Sequence, residues 1–230
     1  QGNYEKALES YSKSLDIAKE LGDKNGMGSS YNNIGMIYWN QGNYEKGLEY
    51  YKKGLKINEE IGDKQELAGS YINIGNIYYD QCNYEKALEY YSKSLEIFKK
   101  VDNKNGMGIS YMNIGVVYEK KDNYEKALEY HSESLAVKKE IGDKFGIGAT
   151  YSNVGLIYMN QGNYEKAFEY YSKCLVISKE IGDKKGMGDS YNNIGNIYHE
   201  IGNYEKALDY LLKSKNIKQE INTIEGLDAT

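Results

Sequence analysis

The chain has 230 residues, with 29 basic side chains (all lysine) against 34 acidic ones and a formal net charge of −5. A mildly acidic chain of mixed charge lacks the basic stripe that nucleic acid or an anionic membrane requires. No apolar run is long enough to span a bilayer, no signal peptide opens the chain, and Cys82 and Cys174 read as free thiols of a reducing compartment, so a cytoplasmic setting is expected.

The chain opens on Gly2-Asn3-Tyr4-Glu5-Lys6, and this motif returns every forty residues, at Gly42, Cys82, Asp122, Gly162 and Gly202, without insertion or deletion. A strict period of this length predicts a stacked solenoid, in which each unit buries its apolar face against its neighbours. The first element is an orphan second helix over 1–21. Five full helix pairs follow at 24–62, 64–102, 104–142, 144–182 and 184–221. Residues 222–230 match the opening of a further first helix. With no initiator methionine and Gln1 already inside a repeat, the chain is expected to be a piece of a longer array or an engineered one.

Within the unit 63–102, Tyr71, Ile74, Gly75 and Tyr78 share one helical face, and Tyr84, Ala87, Leu88, Tyr91 and Leu95 share another. The Gly-Asn turn between the two supplies a left-handed residue and then an N-cap, and Gly62-Asp63 does the same between units. Cys82, Asp102 and Asp122 stand where the other units have that glycine, at an expected cost of about 1 kcal/mol each. The tyrosines at repeat positions are expected to pack between helices. Gly26-Met27-Gly28 and its copies lack the lysine and hydroxyl of a phosphate loop and predict close helix packing.

Positions that vary between units yet share one face of the first helix are where a partner would be read. This face carries Met36 and Trp39 in the first full unit, Ile72, Asn76 and Tyr79 in the second, and Met112 and Val116 in the third. In the fourth it carries Leu156 and Met159, and in the fifth Asn192, Asn196 and His199. An apolar row flanked by polar groups predicts a contact surface. At its edge runs a constant ladder, Asn33, Asn73, Asn113, Asn153 and Asn193. Each amide offers a donor and an acceptor that match a peptide backbone.

The pattern Tyr71, Ile74-Gly75, Tyr78, Cys82-x-Tyr84, Ala87, Tyr91, Ser94 resembles the tetratricopeptide repeat, in a forty-residue form most similar to Pins/LGN-type adaptors. The usual unit of that family has thirty-four residues and a proline after its second helix; this chain has no proline. The resemblance implies an all-α, right-handed superhelical α-solenoid of stacked antiparallel helix pairs, with the variable face lining a concave groove. It also implies that the asparagine ladder binds ligand backbone. Chaperone-binding relatives clamp a carboxylate with Lys and Arg on this face, and Pins-type relatives carry Arg before the aromatic. Here Lys120 is the only base on the face, and Ser30, Ser70, Ser110, Thr150 and Ser190 stand at the arginine positions, so a strongly acidic ligand is not expected.

Nothing in the chain assembles catalytic chemistry. His131 substitutes for a packing tyrosine, and His199 beside Glu200 has no nucleophile or third ligand. Neither cysteine has metal-ligand spacing. The expectation is therefore a non-catalytic protein-interaction scaffold, with no cofactor and no metal, that holds an extended or helical peptide. The alternative is an assembly module that stacks end to end through uncapped repeat faces.

Overall fold

A computed structural model describes residues 2–227, and the side chains of residues 4–221. It contains α1 (Gly2–Leu21), α2 (Lys24–Asn40), α3 (Tyr44–Ile61), α4 (Lys64–Asp80), α5 (Tyr84–Lys100), α6 (Lys104–Lys120), α7 (Tyr124–Glu140), α8 (Lys144–Asn160), α9 (Tyr164–Glu180), α10 (Lys184–Glu200) and α11 (Tyr204–Leu227). Among the described residues there is no strand. The chain is an all-α solenoid whose helices pair antiparallel across short turns. Its contacts resolve into two compact units, 1–117 and 118–230, which divide within α6.

The turns follow from local chemistry. Asn43, Asn83, Asn123 and Asn163 each accept a hydrogen bond from the backbone N–H three residues on, which satisfies a donor the helix start leaves open. Before each cap sits a left-handed residue: Gly42 has φ 73° and Gly162 φ 70°. Cys82 (φ 56°), Asp102 (φ 51°) and Asp122 (φ 54°) adopt the same conformation with a side chain attached. The Asn43 N–H reaches back to the Tyr38 carbonyl at 2.9 Å and closes the end of α2.

In the first unit α2 packs on α3 and α4 on α5, with α1 and α3 covering the other sides of α2 and α4. Its core is Ile34, Ile37, Tyr51, Ile74, Ile77, Ala87, Tyr91 and Ile114. Close approach needs glycine: a Cβ on Gly75 would lie 2.6 Å from the Tyr91 ring, and one on Gly35 2.8 Å from Tyr51. The second unit repeats the scheme with α8 on α9 and α10 on α11. There Ala167, Tyr171, Ile194 and Ile197 form a buried cluster. A Cβ on Gly155 would lie 2.8 Å from the Tyr171 ring.

Tyrosine stacking ties each helix pair together. Tyr38 on Tyr50, Tyr78 on Tyr90, Tyr118 on Tyr130, Tyr158 on Tyr170 and Tyr198 on Tyr210 all have ring centroids 5.5 Å apart. The lysine of each Tyr-Glu-Lys motif caps the stack: the Lys46, Lys86, Lys126, Lys166 and Lys206 ammonium groups lie 4.9–5.2 Å from the first ring's centroid.

One boundary differs from the sequence reading. α11 continues past Ile221 to Leu227 as one helix, where a turn and a new first helix were expected at 222. Asn222 occupies the place of Gly22, Gly62, Gly142 and Gly182, and of Asp102, which turns the chain without glycine. The side chains of 222–230 lie outside the described residues.

Candidate functional site

In the first unit the variable face forms a pocket of about 240 Å³. Trp39 of α2, Asn76 and Tyr79 of α4, and Asn113 and Val116 of α6 line it. All five were singled out from sequence, and three successive first helices bring them together. Asp80 and Tyr91 complete the wall. The Trp39 Nε1–H donates to Asp80 Oδ2 at 2.6 Å, which joins neighbouring repeats. The Tyr91 hydroxyl donates to Asn76 Oδ1 at 2.7 Å. Burial, and next the nearby Asp80 charge, hold the Tyr91 phenol well above its ordinary pKa, so it stays a donor. The corresponding Tyr51 is pushed up to about 12 by burial.

Met36 is exposed and Ile72 and Met112 are half-buried on the same helices. In the second unit Leu156 and Asn196 are exposed, and Asn192 is half-buried. Met159 packs against the Ala167–Tyr171 cluster, so part of its surface serves the core. His199 is exposed, edge-on to Tyr204 with ring centroids 5.7 Å apart, and its Nδ1 lies 3.6 Å from the Glu200 carboxylate. The five ladder asparagines, Asn33, Asn73, Asn113, Asn153 and Asn193, are all half-buried. None of their amides is among the sealed, unpartnered atoms of the described residues.

The serine positions require a correction. Ser30, Ser70, Ser110, Thr150 and Ser190 are buried rather than turned to a groove. Ser110 faces Ser94 at 3.3 Å, Ser70 accepts from Asn58 Nδ2 at 3.0 Å, and Thr150 Oγ1 donates to the Gly146 carbonyl at 2.8 Å. Ser30, Ser70 and Ser110 join neighbouring helices, Thr150 bonds within α8, and the absence of arginine at these buried positions says nothing about a ligand.

Sequence reasoning missed two parts of this surface. Tyr91 has the spacing of a core residue, and only its hydroxyl reaches the pocket. A second pocket of about 210 Å³ lies in the second unit, between Phe145 and Ser152 of α8, Ile177 of α9, and Lys185 and Asp189 of α10. Ala149, Ser152 and Asp189 of its lining are variable first-helix positions, and the exposed Phe145 stands where the other units have Asn25, Gln65, Asn105 and Lys185. Cys174 borders that pocket, and burial pushes its thiol up. Cys82 is exposed. Among the described residues no three His, Cys, Asp or Glu side chains are placed to hold a metal ion. No described helix is long and apolar enough to cross a membrane.

A family profile described as "Tetratricopeptide repeat" matches residues 1–65, 66–140 and 146–220. No curated protein sequence matches. Among solved structures, BtubC (BKLC) from P. vanneervenii superposes with a TM-score of 0.83 at 20% identity, over 95% of this chain and 92% of that one. The quorum sensor NprR from B. thuringiensis, in its apo form, gives a TM-score of 0.73 at 22% identity over 93% of this chain and 60% of that one. A Rap protein complexed with Competence and Sporulation Factor gives 0.71 at 21%, over 92% of this chain and 64% of that one. The present chain thus spans less than two thirds of the latter two, and at these identities the likeness is one of fold.

Proposed function

We propose, since this chain belongs to the tetratricopeptide repeat family, that it is a non-catalytic scaffold that holds a peptide segment of a partner protein on the first-helix face. The observation that carries the reading is the pocket of Trp39, Asn76, Tyr79, Asn113 and Val116, drawn from three successive repeats. Variable residues supply the shape, and a constant half-buried asparagine stands beside them in each repeat. A side chain would enter the pocket while Asn73 and Asn113 meet the backbone on either side. The Rap protein above, solved with Competence and Sporulation Factor, lends the reading an analogy of fold.

Panning a display library of random dodecapeptides on the whole chain tests it. Binders should emerge, and Asn73→Ala or Asn113→Ala should each weaken them by up to about fivefold, the equivalent of roughly 1 kcal/mol for one net hydrogen bond. A library without binders, or binders indifferent to both asparagines and to Trp39→Ala, would overturn the reading.

A second reading is end-to-end self-association. It is favoured by the apolar row Tyr204, Leu208 and Leu212 on α11, exposed at 67, 60 and 47%, and by Ile17 and Leu21 on α1. Light scattering over a concentration series decides it: mass should rise with concentration and fall back in Leu208→Glu. A constant monomer mass excludes it.

A further inference from the structure

We propose that the pocket on the first unit takes the ammonium or guanidinium head of a lysine or arginine, so that the scaffold selects basic-apolar peptides. The inference rests on the peptide reading above and adds the chemistry of the side chain that enters.

The pocket's only charge is negative. Asp80 is the one ionisable carboxylate or base among the described residues lining it. One of its oxygens, Oδ2, is fixed by the Trp39 indole at 2.6 Å, which orients the group without neutralising it. The other, Oδ1, makes no hydrogen bond among the described residues and is left for a ligand. A carboxylate held by a neutral donor keeps its full charge and gives a short, strong bond to an incoming cation.

The walls suit the same guest. Trp39 and Tyr79 line the pocket beside that carboxylate while Tyr91 offers only its hydroxyl, and indole is the strongest of the side-chain cation acceptors. The Tyr91 hydroxyl spends its proton on Asn76 Oδ1, so toward a guest it can act only as an acceptor. Val116 and the ring edges would cover the methylene stem of a long basic side chain. The protein already uses this chemistry on its own lysines: the Lys46 ammonium lies 5.0 Å from the Tyr38 ring centroid and that of Lys86 4.9 Å from Tyr78. An acidic side chain would meet Asp80 with no lysine in the lining to offset it.

Trp39 is the only tryptophan in the chain, so its emission reports on this pocket. The probes are acetylated, amidated hexapeptides Leu-Ser-X-Leu-Ser-Leu, with X as Lys, Arg, norleucine or Glu, titrated against the whole chain. The Lys and Arg peptides should shift Trp39 emission at concentrations at least tenfold below the norleucine peptide, with the Glu peptide weakest. Raising salt from about 0.05 M to about 0.5 M should narrow the gap. Asp80→Asn, at unchanged melting temperature, should make the Lys and norleucine peptides equal. Tyr79→Leu should weaken the Lys peptide more than the norleucine peptide. Anisotropy of dye-labelled peptides separates the two levels of the argument. Binding without preference for the cation, or a preference that survives Asp80→Asn, overturns this inference and leaves the peptide reading standing. If no peptide binds, both fall.

Discussion

At the scale of single residues, strain sits at Cys82, Asp102 and Asp122, the three non-glycine residues of positive φ among those described. They are not equivalent. Asp122 accepts a hydrogen bond from the Tyr124 hydroxyl at 3.0 Å, and Asp102 lies 3.5 Å from the Lys104 ammonium. Aspartate also tolerates the left-handed region better than cysteine. Cys82→Gly should therefore stabilise most, by about 0.5–1 kcal/mol once the looser unfolded chain is allowed for. Thermal melts of the three glycine variants check the order, and a larger gain from Asp122→Gly would contradict it. A second weak point is His131, 0% exposed, with neither ring nitrogen hydrogen-bonded. Burial, and then the Lys138 charge, lower its pKa from 6.5 to about 4. As pH falls below about 6.5 the unfolded chain takes up a proton that the folded chain refuses, so stability declines through that window and levels off near 4. Tyr occupies this place at 51, 91 and 171. His131→Tyr should raise stability by about 1–3 kcal/mol and flatten the decline. Denaturant melts at several pH values between those limits measure both effects, and an unchanged pH slope would mean that His131 is not its source.

At the scale of the elements, glycines within helices divide into two kinds. Gly75 faces Tyr91 so closely that Gly75→Ala must displace the ring, at a cost of about 1–3 kcal/mol. Gly69, in the same helix, has nothing within 4 Å of a Cβ, so Gly69→Ala should stabilise by about 1 kcal/mol. Opposite shifts in melting temperature are the expected outcome, and a loss at Gly69 would show that its freedom matters to binding or breathing of the face. These elements were legible in the sequence because period, caps and turn residues act over a few positions: the Asn43 cap, the left-handed Cys82 and the Tyr faces could be read from spacing. What could not be read crosses from one helix to another. The Trp39–Asp80 bond spans a repeat, the Tyr91 hydroxyl departs from its own core ring, and the buried Ser70–Asn58 pair occupies a place that resemblance assigned to the groove. The run of α11 past Ile221 has no such local signal, since Asp102 turns the chain at the same register position without glycine.

At the scale of the whole molecule, stability is a sum of helix pairs and of the joints between neighbours. The stack of two tyrosines under a lysine recurs in every full pair with the same 5.5 Å spacing. Its consequence is a degeneracy of address. A first helix carries nothing in that stack that distinguishes its own second helix from the one a repeat later. The tether makes the choice: skipping a repeat lengthens the closing loop from a few residues to more than forty, an entropic cost of about 2 kcal/mol. Lengthening the turn at Gln81-Cys82-Asn83 by about twenty glycines and serines should erase most of that margin. Refolding of such a chain should acquire a slow, concentration-independent phase as misregistered pairs exchange, while refolding of the parent stays single-phased. Because this stack is the same in every pair, the connecting turns carry the positional information that it lacks.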